Sequence, residues 1–302
     1  FLHVITKKGA GLDKAEADRI GFHAIGKINA IKDKKTKQKK YQDVFSDWIV
    51  DMASSDESLI GITPAMREGS GLVNFSEKFP DRYFDVAIAE QHAVTFAAGL
   101  ACEKKKPVVA IYSTFLQRAY DQLIHDVAVQ NLDVMFALDR SGLVGEDGPT
   151  HSGNYDIAYL RCIPNMIICT PSDENETRHL LTTAYHYEGP SSVRYPRGIG
   201  PGAVIFDTLV PWDIGTAKLI NEGGPKIVVL NFGALIDQAK DVSSSLGLTL
   251  IDMRFVKPLD EEILKKYLLK AEWFISIEDG SIMGGAGSAV QEFCSREKIN
   301  IK

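Results

Sequence analysis

Short apolar runs alternate with helix-like segments from residue 41 to about residue 197, and this alternation restricts the possible folds most strongly. In residues 41–54 the apolar side chains recur every three or four positions, which is the spacing of an amphipathic helix. Leu59–Thr63 and residues 108–112 are continuous apolar runs of strand length. Apolar strands separated by helices are typical of a largely parallel sheet with helices on both faces.

A glycine- and proline-rich stretch at residues 197–202 interrupts this alternation and indicates a domain linker. A second, shorter series of apolar runs and helical segments follows it. A lysine-rich run at residues 32–40 precedes the first series and is typical of a solvated linker. The sequence therefore predicts an α/β fold with two doubly wound domains, a mainly parallel-sheet domain at residues 41–200 and a smaller one at residues 201–302.

Composition argues against several classes of protein. The net charge of -6 over 302 residues supplies no basic face, so we expect no nucleic-acid partner. No apolar run approaches the ~20 residues of a membrane helix, so we expect no membrane insertion. The cysteines show no C-x-x-C spacing and are typical of reduced, buried thiols, which predicts neither a zinc site nor a disulfide framework. They are Cys102, Cys162, Cys169 and Cys294.

Glu90 stands directly after an apolar run at residues 83–89 and opens a helix of small residues. Ligands of open α/β sheets bind at the carboxyl ends of the strands, so this carboxylate is well placed to meet a ligand. The alternative is that Glu90 only stabilises the positive end of the helix dipole, which contributes about 0.3–1 kcal/mol.

Other unusual residues also follow predicted strands, and the loops of a parallel sheet emerge at one edge. These residues are Phe115, Arg118, Arg140, Asp147, His151 and Arg197. Aromatic, acidic, basic and imidazole groups together suit an organic cofactor beside an anionic, phosphorylated substrate. Each has an ordinary alternative: Phe115 as a core residue, the arginines as surface residues, and the histidine as an inert loop residue.

Two glycine-containing segments receive different interpretations. The loop at residues 139–153 is long for a compact domain and combines glycine, aspartate and histidine, so we expect it to be functional. The turn Gly284-Gly-Ala-Gly287 has the glycines of a phosphate-binding turn, but we expect close backbone packing at a helix start there.

Several long motifs resemble those of the 1-deoxy-D-xylulose-5-phosphate synthase family, which is one of the transketolase-like thiamine diphosphate enzymes. The resemblance runs over nearly the whole chain. The motifs are Thr63-Pro-Ala-Met-Arg-Glu-Gly-Ser-Gly71, Asp81-Arg-Tyr-Phe-Asp-Val-Ala-Ile-Ala-Glu-Gln-His-Ala93, Tyr112-Ser-Thr-Phe-Leu-Gln-Arg-Ala-Tyr-Asp-Gln122, Asp147-Gly-Pro-Thr-His151, Val193-Arg-Tyr-Pro-Arg-Gly198 and Asp252-Met-Arg-Phe-Val-Lys-Pro-Leu-Asp260.

The resemblance implies a transferase that condenses pyruvate with glyceraldehyde 3-phosphate, releases CO2, and feeds isoprenoid, thiamine and pyridoxal synthesis. It implies thiamine diphosphate and Mg2+ as cofactors, a homodimer, and a cytoplasmic location in a bacterium, with a plastid as the alternative. It identifies residues 41–200 as a pyrimidine-binding domain and residues 201–302 as a transketolase C-terminal-type domain with a truncated end. It also identifies residues 1–40 as a segment and linker that follow a preceding diphosphate-binding domain.

The resemblance also implies roles for individual residues. Glu90 corresponds to the catalytic glutamate that hydrogen-bonds the aminopyrimidine ring, Phe115 to the aromatic that stacks on it, and Arg118 to a neighbour in that pocket. The residues that correspond to the surroundings of the sugar-phosphate acceptor are Tyr112, Arg140, Asp147, His151 and Arg197, with the two arginines on its phosphate. His23 and Lys8 correspond to active-site residues of the preceding segment.

One departure from the family pattern leaves alternatives open. The Gly-Asp-Gly…Asn motif that holds Mg2+ and the cofactor diphosphate does not occur in these 302 residues, so we expect those ligands in an N-terminal domain outside this chain. The enzymatic alternative is a β-type subunit of a 2-oxoacid dehydrogenase or of a split transketolase. The alternative of another class is a non-catalytic transketolase-like fragment.

Overall fold

A computed structural model describes residues 1–18, 20–22 and 38–301 of the chain. Residues 1–37 and residues 38–302 are two separate compact units. In the first unit Asp13–Ala17 forms a short helix, α1, and Lys8 lies in the turn before it. His23 and most of the lysine-rich run lie outside the described residues.

The second unit contains a seven-stranded and a four-stranded sheet. The larger sheet consists of β1 (Leu59–Thr63), β2 (Tyr83–Asp85), β3 (Lys106–Tyr112), β4 (Met135–Asp139), β5 (Ile167–Cys169), β6 (Ser191–Arg194) and β10 (Phe255–Lys257). The smaller sheet consists of β7 (Lys218–Asn221), β8 (Gly224–Phe232), β9 (Leu248–Asp252) and β11 (Trp273–Glu278).

Helices cover these sheets. They include α2 (Tyr41–Ser55), α3 (Val73–Lys78), α4 (Glu90–Cys102), α5 (Ser113–Leu116), α6 (Tyr120–Gln122), α7 (Asp156–Arg161), α8 (Glu174–His186), α9 (Ile236–Leu246), α10 (Glu261–Leu268) and α11 (Ala286–Arg296). Within the described part of the chain, no helix is both long and apolar enough to cross a membrane.

The larger sheet has the strand order β10-β5-β6-β4-β3-β1-β2, and every neighbouring pair is parallel except β10 with β5. Successive side chains of its strands enter opposite cores, as the two-residue period of a strand requires. Leu59 packs with α2 and α8 on one face, whereas Ile60 and Ile62 pack with α4 on the other. The predicted α/β fold with a mainly parallel sheet is confirmed.

The strand that was predicted directly before Glu90 is shorter in the structure. The pattern predicted a strand over residues 83–89, but β2 ends at Asp85. The Asp85 carboxylate accepts hydrogen bonds of 2.9 Å from the backbone N–H groups of Ala65 and Ala87, and Ala87 adopts φ 58°. These bonds fold residues 86–89 into an irregular turn, so that Glu90 becomes the first residue of α4.

Residues 115–128 have the apolar spacing that predicts one helix, but in the structure this helix is also interrupted. The chain forms α5, a 3-10 turn at Gln117–Ala119, α6, and a π-helical turn at Leu123–Ala128. Leu116, Ala119 and Leu123 remain buried at spacings of three and four residues. The apolar pattern therefore predicted which side chains face the core but not the hydrogen-bond register, which such spacings leave open.

The smaller sheet has the strand order β11-β8-β9-β7, with β7 antiparallel to β9. Its apolar side chains Val228, Leu230 and Phe232 join the same core as Ile168 of the larger sheet. Cys169 and Cys294 are buried, whereas Cys102 and Cys162 are exposed, so the expected pattern of buried thiols holds for two of the four cysteines. These two lie at the ends of helices, where the chain reaches the surface.

Candidate active site

Glu90 combines burial with a scarcity of partners. Its position at the start of α4 leaves the residue only 5% exposed. The nearest cation is Arg118, whose Nη1 lies 3.7 Å from Glu90 Oε1, beyond hydrogen-bond distance. Among residues 38–301, no hydrogen bond engages the Glu90 carboxylate. Because buried carboxylates are normally hydrogen-bonded, this group can accept a donor from a ligand.

Three rings lie together at the end of β3. Tyr112 and Phe115 are stacked, with centroids 5.5 Å apart and an interplanar angle of 11°. His151 contacts Phe115 edge-on at 5.4 Å, and its Nδ1 is 3.0 Å from the hydroxyl of Thr150. Phe115 is half-buried, which leaves part of the ring able to receive a planar ligand.

Two arginines converge on one carboxylate beside these rings. Asp147 Oδ2 lies 3.0 Å from Nε of Arg197 and 3.8 Å from Nε of Arg140. Arg197 also pairs at 2.5 Å with the exposed Glu146, and the Arg140 guanidinium carbon lies 4.2 Å above the Tyr112 ring. Arginine forks of this kind match the oxygen atoms of a phosphate or carboxylate.

Burial changes the protonation behaviour of two groups here. It raises the pKa of the Tyr112 phenol well above its usual value, despite the opposing charge of Arg140. It also raises the pKa of Asp139 to about 6, against the opposing charges of Arg140 and Arg197. The phenol is therefore a neutral donor near pH 7, whereas Asp139 titrates close to that range.

The structure brings together most of the side chains that the sequence singled out. Direct contacts connect six residues, which we call the loop cluster: Tyr112, Phe115, Arg140, Asp147, His151 and Arg197. Glu90 and Arg118 form a pair, and Arg118 follows Phe115 by one helical turn. Lys8 belongs to the other unit, and His23 lies outside the described residues.

Sequence reasoning missed three residues of this region. They are Gly69, Asp139 and Glu146, which contact Arg140 or Arg197. Asp139 ends the apolar run of β4, so a carboxylate at a strand end was the available signal. Gly69 is needed for close approach, because a Cβ atom there would lie 2.2 Å from the Tyr112 hydroxyl oxygen.

The Gly284-Gly-Ala-Gly287 turn is filled by the protein itself. The Glu278 carboxylate accepts hydrogen bonds from the backbone N–H of Ala286 at 2.7 Å and of Gly287 at 2.9 Å. A Cβ atom on Gly287 would lie 2.4 Å from Ser276 Oγ. The close packing that the sequence interpretation proposed is thus present, and the structure adds an internal carboxylate that occupies the turn.

The residues present fit one half of a thiamine diphosphate site. A buried carboxylate without a hydrogen bond and a half-buried aromatic ring suit an aminopyrimidine, which offers N–H donors and a flat face. In the described ranges, no group of three or more histidine, cysteine, aspartate or glutamate side chains could hold a metal ion.

Comparison with known families agrees with this geometry. The profile of the transketolase pyrimidine binding domain matches residues 37–202, and that of the transketolase C-terminal domain matches residues 215–301. The first match alone covers more than half of the chain. The chain therefore belongs to the transketolase pyrimidine-binding domain family.

Curated relatives narrow the resemblance. The chain is 61% identical over 303 residues to the 1-deoxy-D-xylulose-5-phosphate synthase of Stutzerimonas stutzeri (strain A1501) and 59% identical to that of Pseudomonas entomophila (strain L48). Each alignment covers 99% of this chain and 48% of the relative. The predicted resemblance to these synthases is confirmed, and the chain spans about half of their length.

Solved structures support the fold. A split-gene transketolase chain, described as an inactive β4 tetramer, has a TM-score of 0.77 and 25% identity, with 86% of each chain covered. A transketolase from Campylobacter jejuni has a TM-score of 0.67 and 18% identity, covering 85% of this chain and 45% of its own. The latter shows the shared fold alone.

Proposed function

We propose that this chain forms one half of the active site of a 1-deoxy-D-xylulose-5-phosphate synthase. This transferase condenses pyruvate with D-glyceraldehyde 3-phosphate and releases CO2. The loop cluster carries the proposal, because two arginines meet at one carboxylate beside a stacked aromatic pair. Relatives with this activity in their name share 61% and 59% of their aligned residues with the chain.

Glu90, Phe115 and Arg118 form the cofactor side of the proposed site. When bound, thiamine diphosphate supplies the electron sink for the loss of CO2 from pyruvate. The Glu90 carboxylate accepts a hydrogen bond from the pyrimidine ring and sets which ring nitrogen holds the proton. Phe115 stacks on the ring, and Arg118 covers the pocket beside Glu90.

The remainder of the loop cluster forms the acceptor side. Arg140 and Arg197 bind the phosphate of glyceraldehyde 3-phosphate through their guanidinium forks. Tyr112 donates a hydrogen bond as a neutral phenol, since burial raises its pKa. His151 exchanges a proton with the acceptor oxygen, a general acid–base role that histidine fills most often.

The rest of the complete protein supplies what this chain does not. The chain spans 48% of its relatives, and we assign the Mg2+ and diphosphate ligands to the other part. Residues 1–40 correspond to the segment and linker between that part and the pyrimidine-binding domain, and we assign Lys8 and His23 the cofactor-binding and catalytic roles that the family resemblance implies. The assembly is a homodimer in the cytoplasm; an active complete protein that sediments as a monomer would contradict the dimer.

The substitution Glu90→Gln in the complete protein tests the proposal. It keeps the shape of the side chain but removes the charge, so kcat should fall at least about a hundredfold. CO2 release is measured with pyruvate, glyceraldehyde 3-phosphate, thiamine diphosphate and Mg2+. Glu103→Gln, an exposed change just after the same helix, is the matched control and should stay within twofold. Wild-type turnover by folded Glu90→Gln would refute the assignment.

A separately encoded β-type subunit is the second candidate. The match to a split-gene transketolase chain over 86% of both chains favours it. Intact mass spectrometry of the purified protein, together with an activity assay, distinguishes the candidates. A chain near 33.3 kDa accompanied by a second polypeptide supports the split enzyme, whereas one much heavier chain supports the synthase. A lone 33.3 kDa chain without activity supports a non-catalytic fragment.

A further inference from the structure

Asp139 is the last residue of β4 and is 1% exposed. Its two oxygens accept hydrogen bonds from the backbone and from the side chain of the next residue, Arg140. Oδ1 accepts the backbone N–H of Arg140 at 2.6 Å, and Oδ2 accepts Nη1 of the same arginine at 2.6 Å. One buried carboxylate thus determines where the Arg140 side chain lies.

The backbone of Arg140 adopts an uncommon conformation. Arg140 adopts φ 58°, which is unusual for a residue with a side chain and needs compensating contacts. Its Nη1 also donates to the carbonyl of Gly69 at 2.7 Å, so this nitrogen is already engaged by the protein. The guanidinium carbon lies 4.2 Å above the Tyr112 ring.

The opposite side of the guanidinium is left for a ligand. Within the described residues, Arg140 Nε is buried and has no hydrogen-bond partner, and Asp147 Oδ2 lies 3.8 Å away. Arg197 Nε lies 3.0 Å from the same Asp147 oxygen. An anion that takes the place of the Asp147 carboxylate therefore meets the Nε edges of both arginines.

We infer that Asp139 is a positioning residue that makes Arg140 specific for a phosphate monoester. Because Asp139 and the Gly69 carbonyl engage Nη1, the Nε edge is left for the phosphate, which it meets beside Arg197. Asp139 does not touch the substrate itself. This role depends on the proposed function, since it concerns the acceptor side of the same site.

The substitution Asp139→Asn tests this inference in the complete protein. The amide replaces one acceptor oxygen by an NH2 group, which turns a donor towards the guanidinium. We expect the KM for glyceraldehyde 3-phosphate to rise about tenfold to a hundredfold, because charge-assisted hydrogen bonds hold Arg140. The kcat at saturation and the KM for pyruvate should stay within threefold, and unphosphorylated D-glyceraldehyde should react as with the wild type.

Asp252→Asn is the matched control. Asp252 is also the last residue of a strand, β9, and is also 1% exposed, but it contacts Ser172 and Asn231. Its substitution should leave the KM for glyceraldehyde 3-phosphate within threefold. If Asp139→Asn does not fold, Asp139→Ser is the second variant, since it keeps a hydrogen-bond acceptor and removes the charge.

The outcomes separate this inference from the proposed function. An equal loss with phosphorylated and unphosphorylated acceptors, or no change in KM, would overturn the positioning role. A wild type without synthase activity would contradict the proposed function alone. In that case the melting temperature, measured with and without inorganic phosphate, decides the inference. Phosphate should raise the melting temperature of the wild type but not that of Asp139→Asn, and an equal rise in both would overturn the inference.

Discussion

Arg140 and Arg197 differ in their solvent exposure and in the groups that bind their guanidinium ends. Arg140 has a side chain only 11% exposed and is held by Asp139 and a backbone carbonyl. Arg197 is 33% exposed and is held by the acidic residues Glu146 and Asp147 of the loop after β4. The proposed function therefore requires the phosphate to replace carboxylate partners of Arg197, whereas Arg140 keeps its Asp139 partner.

Arg197→Ala in the complete protein should raise the KM for glyceraldehyde 3-phosphate about tenfold or more, because a charged hydrogen bond to the phosphate is lost. The KM for pyruvate should change much less. Arg197→Lys should recover only part of the affinity, since an ammonium cannot bind two oxygens as a fork. Steady-state kinetics with each substrate varied in turn measures both constants. Arg296→Ala, another exposed arginine paired with a glutamate, is the control. Equal effects on the two substrates would remove Arg197 from the phosphate site.

β10 is the element that connects the two predicted domains. Residues 252–257 leave β9 of the smaller sheet and pair antiparallel with β5 at the edge of the larger sheet. The backbone carbonyl of Arg254 accepts the N–H of Thr170 at 2.7 Å, and its guanidinium forms a two-fold ion pair with Glu176 of α8. Phe255 is buried in the core with α2 and α8.

Phe255→Ala should lower the free energy of unfolding by about 3–5 kcal/mol, since a fully buried ring leaves a cavity in the core. Urea denaturation followed by tryptophan fluorescence measures the change. Phe206→Ala is the matched control, because Phe206 is 58% exposed and its loss should cost less than about 0.5 kcal/mol. A similar effect of both substitutions would show that β10 contributes little to the fold.

At the scale of the whole molecule, the two sheets are joined by buried polar groups as well as by a shared core. Asp252 Oδ2 accepts a hydrogen bond of 2.6 Å from Ser172 of the larger domain, and Oδ1 is 3.3 Å from Asn231 Nδ2 of the smaller. Burial, followed by the charge of Glu176, raises the pKa of Asp252 from 3.8 to about 7. Burial likewise raises the pKa of Glu176, although Arg254 opposes this shift.

This raised pKa predicts a pH-dependent stability. Between about pH 4 and pH 7 the folded chain keeps a proton on Asp252 that the unfolded chain has lost. The contribution of this group to the free energy of unfolding therefore falls as the pH rises through that window. Asp252→Asn should flatten the dependence between about pH 4 and pH 7 in urea denaturation. An unchanged slope in the variant would show that Asp252 does not titrate there.

Much of the candidate site was predictable because its residues follow strands of one parallel sheet. The apolar runs of β3, β4 and β6 place Tyr112, Arg140 and Arg197 at a common edge, whatever the details of packing. Asp139 was not singled out, although it is a carboxylate at the end of an apolar run, because that position does not show that its partner is the neighbouring arginine. Its role became visible only through its contacts with Arg140.

The sequence by itself determined the α/β class, the parallel central sheet and the edge that carries the loop cluster, because the periodicity of apolar side chains is a local property of the chain. Only the tertiary structure decided that β10 joins the larger sheet, that β2 ends at Asp85, and that Arg140 forms an ion pair with Asp139. A three-residue edge strand, a side chain that accepts backbone hydrogen bonds and a buried ion pair all depend on partners that only folding brings together.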